Sequence, residues 1–200
     1  MIRNLPIQWL RVLFVLQLML LVPGCEAPDA NIVYFPKDAR EEFAFALRRM
    51  KEPSLYEQTA SQSFEQYRFL WLRSFDKPIA IRAFRDASGA KLRVVRLNCE
   101  GGVDGRIDYE RVFNLTDEEW KKLLKALEHT SFWTMPTKES VFGLDGADWI
   151  LEGRSAERYH CVVRWSPKSH GDERELNAYR EACLYLLTLS KIEIPQNRIY

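Results

Sequence analysis

The spacing of hydrophobic and polar positions changes several times along this chain, and each change marks an element. Between positions 37 and 51, Phe43, Leu47 and Met50 recur at four- and three-residue steps, which predicts a helix capped by Asp38 and ended before Pro53. From Phe64 to Phe75, aromatic, aliphatic and charged residues alternate as in a strand. Ile79 to Arg85 and Lys91 to Cys99 predict a hairpin around the turn Asp86-Ala87-Ser88-Gly89. Ile107, Tyr109 and Phe113 share one face of a fourth strand, 107–115. Thr116 with Glu119 forms a capping box, and Trp120, Leu123, Leu124 and Leu127 then give a helix its apolar stripe up to His129. A long loop follows, anchored by Phe132 and Trp133. Positions 147–153 and 158–165 predict two more strands. A final helix spans 172–190, with Leu176, Tyr179, Cys183 and Leu187 on one stripe.

Tight turns between successive strands favour antiparallel pairing, and no regular alternation of strand and helix supports a doubly wound sheet. The expected fold class is α+β: an antiparallel sheet of about six strands, with helices packed mainly on one face, in a single domain over 37–200. Composition agrees with a folded domain, at 46% hydrophobic and 28% charged residues. Lys plus Arg is 29 against 28 for Asp plus Glu. So balanced a chain has no basic field for a polyanion, and nucleic acid is excluded as a partner.

The first residues read as an export address. Arg3 and Arg11 precede the apolar run Val12 to Val22, which fits a secretory signal and falls short of a membrane span. Leu21-Val22-Pro23-Gly24-Cys25 resembles the lipobox of bacterial lipoproteins, with Pro23 departing from the small residue usual there. The resemblance implies a signal peptide over 1–24, cleavage before Cys25 and acylation of the Cys25 thiol and the new N-terminus. It also implies a lipidated tether over 25–36, too polar and irregular to pack by itself. Acyl chains would make the membrane one partner. Glu26, where lipoproteins kept at the inner membrane carry Asp, favours the outer membrane on its periplasmic side. Plain secretion beside a conventional cleavage site and an uncleaved anchor remain the alternatives. Beyond Cys25, Cys99, Cys161 and Cys183 are left. The last two sit at core positions, and one disulfide among the three stays open.

Candidate chemistry is sparse. His129 ends a helix and His170 lies in a polar turn; no nucleophile elbow, zinc motif or phosphate loop occurs. Glu100-Gly101-Gly102-Val103-Asp104-Gly105 reads as a hairpin loop rather than a phosphate or calcium cradle. No catalytic residue, metal or cofactor is assigned. GLDGADWILEGR and YHCVVRWSP, within 143–167, resemble a stretch of an uncharacterised group of exported bacterial proteins. Phe132-Trp133-Thr134-Met135-Pro136, Leu92-Arg93-Val94-Val95 and Cys183-Leu184-Tyr185-Leu186-Leu187 match the same group. That resemblance implies no activity or partner; Cys161 stands where the group more often has an aliphatic residue.

One register of the 147–153 and 158–165 strands sets Trp149 opposite Val163 and Leu151 opposite Cys161. On the other face, Asp148 then meets Arg164, Ile150 meets Val162 and Glu152 meets His160. Asp148, Glu152, His160 and Arg164 read either as surface ion pairs or as a shallow recognition face that answers to pH through His160. A non-catalytic module binding an envelope protein or envelope component is the leading expectation. The rivals are a hydrolase with its site between 143–167 and the glycine loop, and a structural envelope component.

Overall fold

Six strands pair antiparallel throughout, in the order β4-β3-β2-β1-β5-β6. The computed structural model describes residues 32–37, 40–58, 65–141, 143–156, 158–168 and 173–200. The elements are α1 (Glu41–Arg49), β1 (Gln66–Arg73), β2 (Ile79–Asp86), β3 (Gly89–Leu97), β4 (Ile107–Leu115), α2 (Asp117–His129), β5 (Ala147–Ser155), β6 (Arg158–Trp165) and α3 (Asn177–Leu189). The fold is α+β, with element order as the hydrophobic pattern predicts. The signal peptide, Cys25, the cap at Asp38, His170 and Asp172 lie outside the described residues.

Both faces of the sheet are covered. On one, Trp120, Leu123 and Leu127 of α2 and Tyr179, Cys183 and Leu186 of α3 pack on Phe69, Trp71, Ile81, Val94, Trp149 and Leu151. On the other, Phe43, Ala46 and Leu47 of α1 pack with Met50 on Leu70, Leu72, Val95, Ile150 and Cys161. Central β1 is therefore buried along its whole length, charged residues included. Tyr34 and Phe35, expected in a tether without core contacts, are buried in this second cluster. Two aromatic rings outweigh the polar residues around them. Cys161 and Cys183 are buried thiols on opposite faces of the sheet, and Cys99 is a thiol as well.

Helix boundaries follow their caps. Thr116 Oγ1 accepts from the Glu119 N–H at 3.1 Å, and the Glu119 carboxylate accepts from the Thr116 N–H at 2.7 Å, so α2 starts where the capping box sets it. By contrast, α3 begins only at Asn177, because Glu175 takes φ 55°, outside the helical region. Leu123 is fully buried. Leu123→Ala is expected to cost about 2–5 kcal/mol, read from urea unfolding; a near-neutral result would show that the α2 stripe does not bury on the sheet.

Candidate functional site

The β5–β6 hairpin differs from the expected register by one residue. Trp149 faces Arg164, Ile150 faces Val163, Leu151 faces Val162, Glu152 faces Cys161 and Gly153 faces His160. The cause is the turn. Pairing continues to Ser155 and Arg158, so two residues connect the strands where the expected register leaves three, and Ala156 at φ 48° supplies the left-handed step such turns need. Because side chains alternate, one residue of slip moves each partner to the opposite face. Asp148 and Glu152 therefore lie on the α1 side, and His160 and Arg164 on the α2–α3 side. The four residues do not form one recognition face.

Three of the four are internal fasteners. His160 shares a hydrogen bond of 2.8 Å between Nε2 and the Met135 carbonyl, and its ring meets Phe132 edge-on. Arg164 donates to the carbonyls of Pro136 and Val163, each at 2.7 Å. Both hold the 131–139 loop against β6. Phe132 lies flat enough on β5 that a Cβ at Gly153 would come within 2.5 Å of its ring, which is why that strand position is glycine.

Glu152 belongs to a buried charge network that sequence reasoning missed. Arg68, Arg82 and Arg93 face one another across β1, β2 and β3. Glu152 accepts from Arg68 Nε at 2.7 Å and from the Tyr159 hydroxyl at 3.0 Å. Glu52, on the segment after α1, meets Arg82 at 2.7 Å, Arg68 at 3.4 Å and also Arg93. Burial opposes the charge of both acids. For Glu52 the guanidiniums of Arg82, Arg68 and Arg93 prevail and hold the carboxyl below its ordinary range. For Glu152, with one arginine and one hydroxyl, burial prevails and raises it. The signal was in the sequence, since Arg68, Arg82 and Arg93 sit in three predicted strands, but only the register shows that they are neighbours.

Asp148 alone of the four borders open space. It pairs with Arg40 and lines the smaller of two neighbouring depressions at the end of the sheet where β1 ends and β5 begins. One, of about 310 Å³, runs from Gly101, Gly102 and Val103 to Leu144, Asp145 and Asp148, with Glu42 at its edge. A larger one, of about 570 Å³, shares Phe75 and Asp145 with it and continues to Pro167, Arg180, Ile199 and Tyr200. Between them stands the 143–146 loop. Its shape is fixed by Trp165, against whose indole a Cβ at Gly146 would come to 2.7 Å, and by Ser74, whose N–H donates to the Gly146 carbonyl at 2.9 Å. On this pinned loop Leu144 is 97% exposed, and Phe75 across the depression is 56% exposed. Among the described residues, no three His, Cys, Asp or Glu side chains converge as a metal-binding set.

No protein-family model matches the chain, and no curated protein matches it. Among the described residues, no helix is long and apolar enough to cross a membrane.

Proposed function

We propose that this chain is an exported bacterial lipoprotein, anchored through acyl chains on Cys25, that binds an envelope protein or envelope component without catalysis. The periplasmic side of the outer membrane is its proposed place. Binding is assigned to the groove flanked by Phe75 and Leu144. The observation that carries this reading is the pair of exposed apolar side chains, Phe75 and Leu144, beside a loop that packing holds in place, with a polar depression and a larger, more apolar one next to them. Fully exposed large apolar groups are common singly, but two facing each other across a groove suit a partner's apolar anchor. The export reading rests on the Gly24-Cys25 junction after the apolar run, together with Arg3 and Arg11 ahead of it.

A second reading keeps one specific support. The 310 Å³ depression brings the glycine loop beside Asp145, Asp148 and Glu42, where the rival hydrolase site was expected. Asp148 is engaged by Arg40, and His160 lies on the opposite face of the sheet, which favours the binding reading.

One experiment in cells tests anchor and groove together. The intact mass of the mature protein should correspond to a chain starting at acylated Cys25, and Cys25→Ser should move the folded domain to the soluble fraction. A photocrosslinking residue at position 144 should capture a partner that the same residue at Lys125, on the exposed side of α2, does not. An unmodified Cys25 would end the lipoprotein reading. Equal capture from 144 and 125 would end the groove reading.

A further inference from the structure

The sheet face beneath the N-terminal segment has the chemistry of a receptor. Three guanidiniums stand in lateral register on adjacent strands, an arrangement that is repulsive unless an anion lies between them. Glu52 is that anion, and it belongs to no strand or helix. Its neighbours on the same segment are gripped through their backbone: Met50 and Pro53 carbonyls accept from Arg93 at 3.2 Å and from Arg68 at 2.6 Å. Further along, the Tyr56 carbonyl accepts from Arg154 at 3.3 Å, and the Gln58 carbonyl accepts from Arg154 as well. Side chains of the sheet thus hold residues 50–58 by carbonyls and one carboxylate, much as a protein holds a bound acidic peptide.

Each arginine also has a second anchor that does not depend on Glu52. Arg68 is held by Glu152 at 2.6 Å. Arg82 donates to Gln66 Oε1 at 3.1 Å and lies over the Phe84 ring. Arg93 pairs with Glu110 at 2.8 Å. The three guanidiniums are therefore preorganised around the carboxylate position and would remain aimed at it in its absence. From this geometry we infer that Arg68, Arg82 and Arg93 form a carboxylate receptor, and that Glu52 is its built-in, replaceable occupant. The ligand class is a carboxylate, and an acidic side chain presented on an extended segment is the form in which a protein partner would supply it. This inference is independent of the groove at the other site.

Formate is the probe. In the full chain carrying Glu52→Ala, thermal unfolding is followed while formate replaces chloride at constant ionic strength. A receptor predicts a saturable rise in Tm on the order of a few degrees. It predicts no such rise in the wild type, where Glu52 fills the site, or in Glu52→Gln, where the amide fills it. Adding Arg82→Met to Glu52→Ala should abolish the response. If Glu52→Ala is unfolded in chloride, recovery of the folded state in formate supports the inference equally. Equal Tm in both salts, failure to fold in either, or an equal formate response in Glu52→Gln would overturn it.

Discussion

Arg68→Ala is expected to destabilise the domain by about 3–5 kcal/mol, the cost of leaving buried acids without their partner. Arg68 is fully buried, as are Glu52 and Glu152. Urea unfolding measures the loss. Replacing Arg68 and Glu152 together by methionine should recover most of it, because an apolar pair leaves only Glu52 to be held, and Arg82 and Arg93 still hold it. A loss under about 1 kcal/mol for Arg68→Ala would place that pair among ordinary surface ion pairs and contradict the network. The same network sets an acid limit. The Glu52 carboxyl is held below its ordinary value of 4.5, so its contribution is complete above that value and is lost as pH falls through the lowered one. The stability difference between wild type and Glu52→Gln should accordingly shrink as pH drops below 4.5, and an unchanged difference would contradict the assignment.

Phe132→Ala should also cost about 3–5 kcal/mol, since its ring is buried between Tyr67, Trp133 and the bare backbone of Gly153. Amide exchange should accelerate over 131–139, the loop that His160 and Arg164 fasten to β6. Gly153→Ala would force a Cβ to within 2.5 Å of the same ring and should be destabilising by itself. In the Phe132→Ala background much of that cost should disappear, because the closest atom left to crowd the added Cβ is Tyr67 Cδ1, at 3.0 Å; a double-mutant cycle reads the coupling. Strictly additive losses would show that ring and glycine are not packed together.

Short-range rules made the architecture legible. Thr116 and Glu119 fix the start of α2 through bonds within one turn of helix, and Trp120, Leu123 and Leu127 lie on the buried face that their spacing indicates. The β2–β3 hairpin closes through Ala87 and Ser88 between Asp86 and Gly89, as its turn residues indicate. Long-range facts were not legible. The hairpin could close on two residues, 156–157, or on three, 155–157, and alternation alone does not choose; that one-residue difference sends Glu152 and His160 to opposite faces. Arg68, Arg82 and Arg93 each look like the polar member of an alternating strand. Their burial depends on α1 and the segment after it covering the second face of the sheet, which no local pattern encodes. Tyr34 and Phe35 were hidden for the same reason.

In the proposed role the chain holds a partner at the Phe75–Leu144 groove and leaves it unchanged. Its most direct test is recovery of the tagged mature protein from its own envelope, as wild type and as Leu144→Asp. Wild type should recover a specific partner in stoichiometric yield, stable in mass during incubation, and Leu144→Asp should reduce its retention at least about tenfold, equivalent to about 1.4 kcal/mol. Equal retention by Leu144→Asp, or steady conversion of the captured partner into a product, would contradict it.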